Sequence, residues 1–164
     1  MVGDEASAAR AMLEVSYPLN EGRISNWDDM EHLWSYCFHN KLGLPSDKSD
    51  KQILLTEPAM NPQKNREKMG EYMFEKFNFG GVAFELQAIL TLMAEGNVTG
   101  AVMDSGDGVS HVIPVFEGHI QTDAIKRLNI AGRHVTEYLI KLLMIRGYAF
   151  NSSANFEVIR ELKE

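Results

Sequence analysis

Cysteine is almost missing from this chain: Cys37 stands alone among 164 residues. An intramolecular disulfide is excluded, and so is a zinc site built on cysteines. A reducing, cytosolic compartment is expected. Long apolar runs are missing too, and none approaches the roughly 20 residues that cross a bilayer. Residues 1–10 carry acids and no apolar core, so no secretory leader is expected there. A basic excess is absent. The balance of 16 Lys and Arg against 23 Asp and Glu leaves a formal charge of −7, spread along the chain. That sign does not suit a nucleic-acid partner. No internal repeat or low-complexity segment is visible.

What is present is ordinary for a globular chain. The hydrophobic fraction is 45%, enough residues for a real core. Residues 23–40 read as a helix capped by Asn26, with Trp27, Met30, Leu33, Trp34, Cys37 and Phe38 on one stripe. Residues 42–51 read as a surface loop, and 52–56 as a short strand. Pro62 suits the first turn of a helix running to about Phe77, buried along Met69, Met73, Phe74 and Phe77. A strand over 81–86 and a helix over 87–95, closed by Gly96, follow. Gly132 opens a long helix with Val135, Leu139, Leu142 and Leu143 on one face. Ser152 and Ser153 are candidate caps for a last helix. The chain stops inside an amphipathic pattern without a stop signal, as an internal piece of a longer protein would. Mixed strands and helices predict an α/β or α+β fold.

The sharpest signal lies at Asp104-Ser105-Gly106-Asp107-Gly108-Val109-Ser110-His111. Two apolar runs, 99–104 and 109–116, flank a Gly-Asp-Gly turn, the pattern of a β-hairpin. Glycines in such a turn let successive N–H groups converge on one concave spot, which suits phosphate oxygens. Asp104 and Asp107 would then need a cation beside the phosphates, and Mg2+ keeping most of its waters fits. No Gly-Lys-Ser/Thr follows, so this is not a Walker A loop. On pattern alone most such turns are structural. By the same standard Gln87 reads as a surface amide, His111 as a hydrogen-bonded strand residue, and Lys163-Glu164 as a solvated pair.

The Asp104–His111 string closely resembles the second phosphate-binding hairpin of the actin family. Gly3-Asp4-Glu5-Ala6, Asn26-Trp27-Asp28-Asp29-Met30, Leu54-Leu55-Thr56-Glu57, Asn65-Arg66-Glu67-Lys68-Met69 and Ala131-Gly132-Arg133 resemble further landmarks of that family, in order. The resemblance covers essentially the whole chain. Ile53 to Pro58, Met60 to Pro62, Leu139 to Leu143 and above all Arg146 to Asn151 are most similar to an actin-related branch that serves in a complex nucleating branched filaments. Conventional actin carries a histidine where this chain has Glu21.

The resemblance implies an incomplete α/β actin-like ATPase fold with ribonuclease H-like lobes. Residues 1–94 would be part of the smaller lobe and 95–164 part of the larger. It implies ATP with Mg2+ as cofactors, and at most slow ATP hydrolysis. Asp104, Gly106, Asp107, Gly108 and Val109 would clamp phosphate, with Asp104 holding the metal through water. Gln87 and His111 would orient the attacking water. Gly132 would lie beside the nucleotide, and Lys163 and Glu164 would meet adenine and ribose. Actin filaments, the other subunits of the nucleating complex and nucleation-promoting factors are the implied partners, in the cytoplasm at cortical actin. The family's first phosphate hairpin is not in these residues, so the chain alone is expected to hold ATP weakly or not at all. Asn129 and His134 stand where the family usually has Asp, and Met93 and His119 where it often has aromatics. An idle interaction module that binds partners without turnover is the alternative. A sugar kinase or chaperone ATPase of the wider superfamily fits less well, because the match from Tyr17 to Glu164 is unbroken.

Overall fold

A computed structural model describes residues 1–3, 5, 6, 9, 12–150 and 153–164. The landmark Asp4 and the candidate cap Ser152 lie outside the described residues, and nothing described bears on a cap from Ser153. Strands β1 (Leu19–Asn20) and β2 (Arg23–Ile24) form a small antiparallel hairpin. The first helix, α1 (Trp27–Ser35), therefore starts at Trp27 and not at Arg23. Its cap is the expected one: the Asn26 side chain accepts from the N–H groups of Asp28 and Asp29. The helix then widens into a π-type turn over Tyr36–Lys41, where Leu42 N–H reaches back five residues to the Cys37 carbonyl.

Strand β3 (Lys48–Glu57) begins well before the expected Gln52. The loop expected over 42–51 is shorter for a reason its charges conceal. Lys48 is 1% exposed, and its ammonium donates to the Ser46 and Phe77 carbonyls. Helix α2 (Gln63–Glu71) crosses over to β4 (Phe79–Leu86), which pairs parallel to β3. This βαβ unit needs the crossover because parallel strands cannot be joined by a tight turn. A second π-type turn, Tyr72–Lys76, ends α2. Its wider winding keeps Met73 and Phe77 on the buried stripe and turns Phe74 outward, half exposed. Met30, Trp34, Phe38, Met69, Met73, Phe77 and Phe79 make the first core. Phe77 meets Trp34 and Phe38 edge-on, with centroids 6.2 and 5.1 Å apart.

Helix α3 (Gln87–Ala94) follows β4 directly. Then β5 (Gly100–Ser105) and β6 (Ser110–Phe116) form the expected hairpin, with Asp104 opposite His111. β6 is also paired by β7 (His119–Ile120) and β8 (Lys126–Leu128), so it is the central strand of its sheet. Ala59, Ala88, Ile113 and Val115 form a second core against this sheet. Helix α4 (Gly132–Ile145) packs on α5 (Ser153–Lys163). Its predicted apolar face is only partly covered: Val135 and Leu142 are exposed, while Thr136 is buried and back-bonds to the Gly132 carbonyl.

Candidate functional site

Between the two cores lies a cleft of about 1010 Å³. Its walls come from the β1–β2 hairpin, the end of β3, the start of α3 and the β5–β6 turn. Asp104, Gly106, Asp107, Gly108, Val109, His111 and Gln87 all line it, although Gln87 is separated in sequence from the others. Gly132 and Lys163 do not. They line a smaller cavity of about 500 Å³ on the other side of the turn, reached also by Gly106, and Lys163 donates to the Gly132 carbonyl at 3.3 Å. Glu164 lines neither cavity.

The β5–β6 turn is held from behind. Gly106 N–H donates to the Val109 carbonyl at 3.1 Å, closing the bend. The Gly106 and Asp107 carbonyls accept from the N–H groups of Gly132 and Arg133, each at 2.9 Å. The first amides of α4 are thus occupied by the turn, which anchors it to a long helix. The N–H groups of Asp107, Gly108 and Val109 have no hydrogen-bond partner among the described residues. Three successive free amides at a bend are an anion-binding arrangement.

The charges around the turn are partly matched. Arg133 donates to the Asp107 carboxylate at 2.7 Å and lies over the Tyr17 ring at 4.5 Å. Asp104 has no such cation among the described residues. Among the described residues no cluster of three or more metal-ligating side chains exists. A lone carboxylate beside free amides fits Mg2+ that keeps its waters and shares phosphate oxygens; it does not fit a protein-caged ion.

His111 is 2% exposed, and its Nε2 has no partner among the described residues. Burial pushes its pKa below the ordinary histidine value, with Arg127 and Arg23 adding to that and Asp104 opposing it. A neutral ring follows at neutral pH. Arg127, opposite His111 in the β6–β8 register, is itself pulled below the usual arginine value by burial and by Arg23. Gln87 reaches the Thr56 hydroxyl at 3.4 Å, a long contact that leaves its amide adaptable.

Several cleft residues were not singled out from the sequence. Glu57, Asn61 and Asn65 form the floor: Asn61 donates to Glu57 at 2.8 Å and Asn65 to Asn61 at 3.0 Å. No single period joins them, since Glu57 ends β3, Asn61 lies in the connection after it and Asn65 in the first turn of α2. His134 caps α4, its Nδ1 accepting from Ala131 N–H at 3.1 Å. The histidine expected to stand in place of an aspartate thus supplies an acceptor at the helix start.

The chain is 56% identical to "Actin-related protein 2" of Acanthamoeba castellanii over 164 residues, which is all of this chain and 42% of that protein. Against proteins of the same name it is 54% identical in Arabidopsis thaliana and 56% in Saccharomyces cerevisiae (strain ATCC 204508 / S288c), with the same coverage. It therefore spans about two fifths of the length of these relatives. Residues 1–163 match the Actin family, and the chain belongs to that family.

Proposed function

We propose that the cleft binds ATP with Mg2+ and that the protein is the nucleotide-switched subunit of the actin-related protein 2/3 complex, taking part in nucleation of branched actin filaments. The observation that carries the nucleotide reading is the run of free amides at Asp107, Gly108 and Val109 on the wall of a 1010 Å³ cleft. The relatives' names carry the rest.

In this reading the turn amides bind phosphate oxygens and Asp104 holds the metal through water. The cation supplies charge neutralisation between phosphate and carboxylate when bound. Gln87 orients the attacking water, since an amide is too weak a base to deprotonate it. His111, kept neutral by burial, accepts a proton from that water chain. By resemblance Gly132 would lie beside the nucleotide and Lys163 and Glu164 would meet ribose and base, although Gly132 and Lys163 line the cavity behind the turn and Glu164 lines neither cavity. Hydrolysis is slow and biases lobe closure, with residues 1–94 moving as part of one lobe and 95–164 of the other. Partners are actin filaments, the other subunits of the complex and nucleation-promoting factors, at cortical actin in the cytoplasm. Among the described residues no helix is long and apolar enough to cross a membrane.

The test is equilibrium titration of the full-length protein with a fluorescent ATP analogue, with and without Mg2+. Micromolar or tighter binding that weakens at least tenfold in Asp104→Asn, and only when Mg2+ is present, supports the reading. Absence of binding would instead support the idle interaction module.

A further inference from the structure

The β1–β2 turn is pinned to β8 and the segment after it by a closed ring of polar contacts. Glu21 sits in that turn with φ 48°, followed by Gly22 with φ 76°. The turn packs against the phosphate-type bend: a Cβ on Gly108 would stand 3.4 Å from the Glu21 backbone, and one on Gly22 would stand 3.1 Å from Val109. From this position Glu21 reaches β8 and the segment after it. Its carbonyl accepts from Arg127 Nη2 at 2.9 Å. Its carboxylate accepts from Asn129 Nδ2 at 2.9 Å and lies 3.7 Å from Arg127 Nη2. The ring closes where Arg127 Nε donates to Asn129 Oδ1 at 3.0 Å.

Asn129 thus acts as donor to Glu21 and acceptor from Arg127 at once, which an amide can do and a carboxylate cannot. Aspartate at 129 would still accept from Arg127. It would have nothing to donate to Glu21 and would set a second carboxylate against the first.

We propose that Glu21 and Asn129 act as a pair that clasps the β1–β2 turn to β8 and positions Arg127. The consequence for Arg127 is visible: with Nε and Nη2 engaged, its buried Nη1 is left without a partner among the described residues, opposite His111 with its own unpartnered Nε2. The clasp is a property of this chain's polar contacts and does not depend on nucleotide binding.

The experiment is a double-mutant cycle on the full-length protein, read by amide hydrogen exchange of residues 18–26, with residues 69–77 of the first core as internal reference. Asn129→Asp alone is expected to speed exchange of 18–26 roughly fivefold, the scale of an exposed charge contact. Glu21→Gln added to it is expected to bring exchange back within about twofold of wild type, because the new amide at 21 donates to the new carboxylate at 129 with the polarity reversed. The reference segment stays unchanged throughout. Effects that multiply independently, or a reference segment that moves in parallel, overturn the proposal. Should Asn129→Asp not fold, Glu21→Gln alone and high salt decide the matter: each is expected to speed exchange of 18–26 about twofold, and no change in either overturns the clasp.

Discussion

Arg66 forks onto the Glu57 carboxylate, with Nε 3.1 Å from Oε2 and Nη2 on Oε1. Glu57 is 2% exposed and closes the floor of the cleft, while the Arg66 side chain is half open to water. The two ends of the pair are therefore unequal. Removing the arginine strands a buried carboxylate, whose remaining described partner is Asn61. Arg66→Met is expected to destabilise the protein by about 2 kcal/mol, below the range for a fully buried pair because water reaches the arginine side. Arg66→Met with Glu57→Gln should recover most of the loss. Urea unfolding midpoints at pH 7.5 measure both.

Gly80 in β4 is required by close approach. A Cβ there would stand 2.0 Å from the Ser49 carbonyl oxygen, inside the irregular stretch of β3 where the register shifts between Lys48 and Gln52. Backbone on both sides leaves nothing flexible to give way. Gly80→Ala is expected to cost at least about 2 kcal/mol. Thermal unfolding checks it, and a neutral result would mean that β3 and β4 are spaced more widely than described.

How far the sequence could be read depended on whether each feature was local. The β5–β6 hairpin was legible because its turn, flanking apolar runs and pairing partners all lie within residues 100–116. The α2 and α3 helices were legible for the same reason. The start of β3 was not, since Lys48-Ser49-Asp50-Lys51 shows no alternation and the burial of Lys48 comes from Phe77 and Phe79, far along the chain. Arg23–Ile24 was absorbed into a helix because a two-residue strand leaves no period to detect. In the cleft, Asp104 to His111 came as one contiguous string. Glu21 and Asn129 did not, because no pattern in either segment announces a contact across 108 positions. Gln87 became a candidate only through family resemblance, and the cleft around it is a tertiary fact.

The buried ring of His111 predicts a definite pH response. Its pKa is lowered in the folded protein, first by burial and then by Arg127 and Arg23. The unfolded chain therefore takes up the proton first as pH falls. Stability from this group is complete above about pH 6.5 and is lost as pH drops through the folded-state value. The urea midpoint is expected to fall between pH 7.5 and 5.5, and His111→Gln should flatten that fall relative to wild type. An identical slope in the variant would show that other groups carry the response.

Gly106 separates fold from function more cleanly than any other position in the bend. Its φ is not in the left-handed region, and a Cβ there would meet nothing nearer than the Val109 carbonyl oxygen at 4.0 Å. Nothing among the described residues demands a glycine there. Gly106→Ala is expected to leave stability unchanged or raise it by about 0.5 kcal/mol, because alanine restricts the unfolded chain. If the bend cradles phosphate, the same methyl group intrudes where the oxygens must approach the amides of Asp107 to Val109. ATP affinity of the full-length protein should then fall at least tenfold while its melting temperature without nucleotide holds or rises. Unchanged affinity would mean that the bend lies away from the phosphates, and the open space at Gly106 would have to be explained by something other than a ligand.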